Sequence, residues 1–219
     1  MPVPQLDALK GRLVSYGRFV QDMIEKSRQA LATRQTGLLD DIISRDEPRA
    51  NESEMDLEEE CTSLIAQHQP MARDLRAILM ILRITNGLER IADHAVNIAE
   101  AVSDHVTGSS PAPDPEMMEM FDETIRMLDE SLRAFVDEDA ALGLKVCEAD
   151  NTIDARATAI LDRLSSSMTQ DPPSIPRSLA VLKISANLER VADISTNIGE
   201  DVIYMTEGRV IKHHRQDAQ

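Results

Sequence analysis

Tryptophan is absent from the 219-residue sequence, and aromatics are confined to Tyr16, Phe19, Phe121, Phe135 and Tyr204. So few rings leave no stacking platform for bases and none of the Tyr and Phe enrichment of strand-rich proteins. Basic residues are scarce beside acidic ones, 23 against 39, for a formal net charge of −16. Phosphate backbones and anionic membrane surfaces are repelled by such a chain, which excludes nucleic acid as a partner. Two cysteines, Cys61 and Cys147, are too few for a disulfide framework and read as small buried apolar side chains. No secretory signal pattern is evident, so a reducing cytoplasm is the expected compartment. The apolar run from Ala77 to Leu82 falls far short of the roughly 18 residues that span a bilayer, so no direct membrane insertion is expected. Also missing are G-x-x-x-x-G-K-[ST], G-x-G-x-x-G and G-x-S-x-G, the backbone cradles and nucleophile elbow of nucleotide and acyl-transfer enzymes.

Proline is confined as well. Nine of the ten lie at the N-terminus, at Pro70, and in two clusters, Pro111/Pro113/Pro115 and Pro172/Pro173/Pro176. Between them, residues rich in Ala, Leu, Ile, Met, Glu and Arg place their apolar members three and four apart, a helical period. Six helices are expected: Leu6 to Ala32, Thr36 to Gln67, Met71 to about His105, Glu116 to Asp137, Glu138 to Met168, and Ser174 to about Glu207 with Ser174 as N-cap. Pro48 is the misplaced proline; a kink, or a helix that starts afresh near Asp46, is expected there. The stretch from His105 to Pro115, rich in Ser, Gly and Pro, divides the chain. The organisation is all-α: residues 1–107 as a first three-helix unit, 108–115 as linker, 116–210 as a second unit, and 211–219 as a basic tail.

The two halves repeat. Residues 83–100 read RITNGLERIADHAVNIAE and residues 183–200 read KISANLERVADISTNIGE, identical at nine of eighteen positions without a gap. On a helix, Glu89, Asp93, Asn97 and Glu100 fall within about an 80° arc, as do Glu189, Asp193, Asn197 and Glu200. Opposite them lie Ile84, Leu88, Ile91 and Ile98, and Ile184, Leu188, Val191 and Ile198, so each acidic stripe is expected to look away from its own core. The bland reading is a solvated face. Like charges at i,i+4 cost roughly 0.2 to 0.5 kcal/mol per pair unless a cation offsets them, and the arrangement occurs twice. Oxygen-only donors with Asn interspersed suit Mg, Mn, Ca or non-haem Fe. Asp150 and Asp154 form a second acidic pair, and Glu47, Asn51, Glu54 and Glu58 follow one stripe in the first half. His94 sits about 100° round the helix from Asp93 and reads as a surface residue, not a ligand. A di-iron carboxylate bundle would need Glu-x-x-His pointing inward; the spacing here is Glu-x-x-x-Asp. No nucleophile and base pair stands out, which favours a regulator or adaptor over an enzyme.

LERIADHAVNIAE and LERVADISTNIGEDVIYMTEGRVIKH resemble the third and sixth helices of the PhoU family of phosphate-signalling regulators. QHQPMARDLRAILMILRI resembles the Q-x-P-x-x-x-D-L-R opening of the third helix, and EMDLEEEC the end of the second, so the resemblance covers nearly the whole chain. It implies two tandem three-helix bundles and a cytoplasmic homodimer. The implied function is that of a negative regulator of the phosphate-starvation (Pho) response and modulator of phosphate uptake, an adaptor between the ATPase subunit of a phosphate ABC transporter and a phosphate-responsive sensor histidine kinase. It further implies multinuclear iron or zinc on the bundle surface, at positions that here would be Glu89, Asp93, Glu189 and Asp193 with Asp150 and Asp154. The first half departs from that pattern: aligned through Cys61 it offers Glu47 and Asn51, while the text upstream shifts the register by one and offers Asp46. Asn97 and Asn197 complete the stripes. Mg, Mn, Ca and a metal-free protein fit the residues as well. A carboxylate-rich metal protein with a storage or hydrolytic role is the alternative. Direct phosphate binding is not expected, because no Gly-rich or Arg-lined pocket is evident.

Overall fold

A computed structural model describes residues 3–107 and 113–208. Among them every regular element is helical: α1 (Val3–Thr33), α2 (Gly37–Asp41), a π turn (Ile42–Asp46), α3 (Glu47–His68), α4 (Ala72–Val106), α5 (Pro115–Asp137), α6 (Ala140–Gln170), a 3-10 turn (Pro172–Ser174) and α7 (Ile175–Glu207). With α2, the π turn and α3 forming one continuous rod, these are six rods in two sets of three. Gly108-Ser109-Ser110-Pro111 of the expected linker and the whole expected tail lie outside the described residues.

The rods start and stop for local reasons. Asp114 caps α5, its carboxylate accepting from the Glu116 N–H at 3.1 Å with Pro115 in the first turn, and Asp139 caps α6 through the Leu142 N–H at 3.0 Å. Glu138 takes a left-handed conformation (φ 51°), so α6 begins at Ala140, two residues later than the apolar pattern suggests. Ser174 is not the expected side-chain cap: its hydroxyl donates back to the Asp171 carbonyl at 2.7 Å, inside the 3-10 turn.

Pro48 produces a widened turn and no break. Lacking an N–H, it cannot satisfy the Ser44 carbonyl, and the Glu47 N–H bonds the Ile42 carbonyl five residues back. Asp46 is carried inward by this π turn to 6% side-chain exposure, where Lys26 Nζ of α1 meets its carboxylate at 2.7 Å.

The first bundle packs α1, α3 and α4 together, the second α5, α6 and α7. The two are not beads on a string. α4 lies against α7 and α1 against α5, both antiparallel, and Leu13, Ile24, Leu88 and Ile91 share one continuous apolar core with Phe121, Leu128, Leu188 and Val191. Two close approaches set the spacing. A Cβ on Gly17 would sit 2.6 Å from Leu132 Cδ1, and Gly143 and Gly199 bring the α6 and α7 backbones so near that a Cβ on either would lie within 2.9 Å of the other's carbonyl oxygen. Among the described residues no helix is long and apolar enough to cross a membrane.

Candidate functional site

The acidic residues of α4 and α7 are not uniformly solvated. Glu89 and Glu189 are half-buried, each leaning toward the outer helix of its own bundle. Burial, then Asp93 and Glu54, push the Glu89 carboxyl above its ordinary range; burial, then Asp154 and Asp193, do the same to Glu189. Two clusters result, Glu54/Glu89/Asp93 on the first bundle and Asp154/Glu189/Asp193 on the second. The stripes, expected to look away from the core, are only partly solvated: Asp93 is exposed, while Glu89, Glu189 and Asp193 are half-buried.

Asp150 joins the second cluster by register. Gly143 against Gly199 and Asp154 beside Glu189 fix the antiparallel pairing of α6 with α7, which brings Asp150 level with Asp193. Its side chain is buried. Asp150, Asp154, Glu189 and Asp193 thus lie along one stretch of the α6–α7 pairing.

The first half carries an irregularity that the structure explains. Downstream of the π turn, buried Ala50, Leu57 and Cys61 correspond to Ile153, Ile160 and Leu164, 103 residues on; upstream, buried Ile42 and Asp46 correspond to Val146 and Asp150, 104 residues on. The one-residue difference is the π turn itself, because a single inserted residue is accommodated in a helix as one i→i−5 bond. Asp46 is hence the buried equivalent of Asp150, held by Lys26, while Glu47 and Asn51 lie on the far side of the insertion. Asn51, exposed, occupies the place of Asp154. The carboxylate that reaches Glu89 and Asp93 is Glu54, one turn further along, where the second half has Ala157.

Other stripe residues are engaged locally. The Asn97 amide donates to the Asp93 carbonyl of its own helix at 3.0 Å, and Glu100 pairs with Lys183 across the bundles at 3.2 Å. Arg190 lies 3.4 Å from Asp193. Asn197 is exposed. His94 is neither a ligand nor a freely solvated side chain: it is half-buried, with Nδ1 2.9 Å from Asn187 Oδ1. Cys61 and Cys147 are buried thiols, each pushed up to about 12 by burial, which leaves them unreactive at neutral pH.

The donors suit a hard cation, being carboxylates with no thiolate and no imidazole among them. Among the described residues no three His, Cys, Asp or Glu side chains converge on one point. Beneath the first cluster, however, the Tyr16 hydroxyl is buried without a hydrogen-bond partner among the described residues, within the field of Glu54, Glu89 and Asp93. Leaving that phenol without a partner costs free energy, and the nearby negative charge keeps it protonated. No such signal is legible in the sequence, where Tyr16 reads as one more core residue.

A cleft of about 590 Å³ lies apart from both clusters, between the end of α4 and the start of α7. Arg177 and Lys183 line it, with His105, but so do Asp104 and Asp171. The structure therefore does assemble an Arg-lined cleft that the sequence conceals, with carboxylates set against its cations.

Comparison with known proteins agrees with this architecture. The PhoU domain family matches twice, over residues 13–102 and 117–202. The phosphate-specific transport system accessory protein PhoU homolog of Pseudomonas putida is 35% identical over 210 residues, covering 95% of this chain and 82% of that protein. The Aquifex aeolicus homolog of the same description is 31% identical, covering 95% of this chain and 94% of its own length. The crystal structure of PhoU from Pseudomonas aeruginosa superposes with a TM-score of 0.89 at 31% identity, over 94% of this chain and 99% of that one. A phosphate transport system regulatory protein PhoU from Streptococcus pneumoniae follows at a TM-score of 0.87 and 27% identity, over 95% and 98%. With both repeats matched along nearly its whole length, the chain belongs to the PhoU family.

Proposed function

We infer that this protein is an accessory regulator of phosphate transport, acting in the cytoplasm as a homodimer and not as an enzyme. It restrains the phosphate-starvation response and adjusts phosphate uptake by bridging the ATPase subunit of a phosphate ABC transporter and a phosphate-responsive sensor histidine kinase. Its working units are residues 1–107 and 116–210, joined by 108–115. The observation that carries this reading is the match of both repeats to relatives described as accessory proteins of the phosphate-specific transport system.

Deletion of the chain is expected to make alkaline phosphatase expression constitutive in phosphate-rich medium. A pull-down from phosphate-replete cells is expected to recover the ATPase and the kinase. Normal repression in the deletion strain, or recovery of neither partner, would overturn the reading.

A second role is favoured by the carboxylate clusters: Glu54, Glu89 and Asp93, and Asp150, Asp154, Glu189 and Asp193, hold hard cations such as iron, with Asn97 and Asn197 at the margin. Like charges gathered in half-buried grooves, over an orphaned phenol, support it. Metal content of the purified protein, compared with that of an amide variant of each cluster, tests it; equal content in all would eliminate it.

A further inference from the structure

The two ends of the α4–α7 pair are built differently. Shifted by 100 residues, Arg177, Leu179 and Lys183 near the start of α7 correspond to Ala77, Leu79 and Arg83 near the start of α4, and Asp104 and His105 correspond to Tyr204 and Met205. At the first-half end Arg83 is the one cation of that set, and the buried carboxylate of Asp201 holds it at 3.0 Å. At the second-half end Arg177 adds a cation to Lys183, and there the cleft of about 590 Å³ opens, within the roughly 300–1,000 Å³ of small-molecule sites.

Its lining attracts an anion on one side. The Arg177 guanidinium, exposed, makes no ion pair among the described residues. Lys183 shares the lining; its ammonium is 45% exposed and held by Glu100 at 3.2 Å, a surface pair worth at most about 1 kcal/mol and readily exchanged. Ser174, Pro176 and Arg177 bring the first turn of α7 to the same cleft, with the unsatisfied N–H groups of a helix start. Buried His105 is lowered first by burial and then by Arg177 and Arg34, the sign of a positive local field. On the other side stand the exposed carboxylates of Asp104 and Asp171. They repel an oxyanion that has lost every proton. An oxyanion that keeps one is accepted, because its O–H donates to a carboxylate while its other oxygens accept from Arg and Lys. Inorganic phosphate keeps an O–H throughout the neutral range. Sulfate keeps none, and a phosphate monoester, with its second pKa at about 6, has mostly lost its own.

We propose that this cleft binds inorganic phosphate, with Arg177 and Lys183 donating to its bare oxygens and Asp104 or Asp171 accepting from its O–H. No bond is made or broken, and the proton stays on the phosphate. Such binding makes the chain a phosphate receptor, beyond the adaptor role given above and independent of any metal at the carboxylate clusters.

Full-length protein titrated with sodium phosphate at neutral pH and constant ionic strength, followed by its imidazole resonances, tests the site. His105 lines the cleft, and His68 and His94 lie outside it. A saturable shift of His105 alone among these three is expected with phosphate, and with arsenate, which also keeps its proton, but not with sulfate. Arg177→Ala is expected to weaken phosphate binding about 10- to 100-fold. Asp104→Asn/Asp171→Asn is expected to lose the preference for phosphate over sulfate. All three side chains are exposed, so these variants keep the fold. No saturable shift of His105, or the same shift in Arg177→Ala, overturns the site and leaves the adaptor role standing. Sulfate binding as well as phosphate in the wild type, or adenosine monophosphate binding more tightly, overturns the assignment to inorganic phosphate.

Discussion

His94 of the first repeat and Asn187 of the second share a hydrogen bond, Nδ1 to Oδ1 at 2.9 Å, across the α4–α7 contact. Because the Asn187 amide nitrogen already donates to the Lys183 carbonyl at 2.7 Å, Oδ1 must accept, and the imidazole carries a proton on Nδ1. Shifting each residue by 100 gives the mirrored contact on the other side of the pseudo-twofold, Ile194 against Gly87, where a Cβ on Gly87 would be 3.3 Å from Ile194 Cγ2. One copy of the inter-repeat contact is polar and the other apolar. Asn187→Ala is therefore expected to lower stability by about 1 kcal/mol, the ordinary net worth of such a bond, read as a shift in urea midpoint at unchanged slope.

Glycines divide sharply by what surrounds them. Gly143→Ala or Gly199→Ala must push apart two helix backbones, so each is expected to destabilise by about 1–3 kcal/mol or more. Gly11→Ala, in α1 with nothing within 4 Å of the added methyl, is expected to gain up to about 1 kcal/mol from helix propensity. Thermal melts of the three variants check the opposite signs.

Lys26 holds Asp46 at the π turn. Lys26→Met leaves a carboxylate buried without its cation and is expected to cost about 3 kcal/mol by chemical denaturation, with part recovered by adding Asp46→Asn.

Asp201, 8% exposed on α7, has its carboxyl pushed up to about 6 by burial, against which Arg83 at 3.0 Å acts only in part. A raised carboxyl binds its proton more tightly folded than unfolded. Its stabilising share is present in full below the unfolded value near 3.8 and is lost as pH rises through about 6. His105, lowered by burial with Arg177 and Arg34, works the other way below its ordinary 6.5, so the wild-type curve alone mixes the two. The difference between Asp201→Asn and wild type isolates Asp201. It is expected to grow in favour of the variant by about 2–3 kcal/mol from pH 4 to 7, measured by denaturant titration at each pH.

Glu89 and Glu189 are raised by burial and by their acidic neighbours. Glu89→Gln and Glu189→Gln are each expected to stabilise metal-free protein at pH 8 by a few tenths to about 1 kcal/mol given their partial solvation, read as a higher melting temperature. Each is also expected to lose any stabilisation by added iron at its own cluster, a reversal that a merely solvated acidic face would not show.

The sequence by itself determined the six rods, the division into two repeats, and the acidic residues that line the grooves. Those features rest on local physics: the 3.6-residue period, proline punctuation, and one strong self-match between 83–100 and 183–200. It also left the first-half register ambiguous between Asp46 and Glu47, an ambiguity with a physical origin, since one inserted residue before Pro48 is absorbed by a π turn that no hydrophobic pattern announces. Tertiary structure alone decided that the carboxylate acting on Glu89 from α3 is Glu54, that His94 faces Asn187, and that Asp46 is buried against Lys26. Each of those depends on how far one helix slides along another. Sliding is set by contacts such as Gly143 on Gly199, between residues 56 positions apart in the chain, and a pattern read within a single helix carries no information about it.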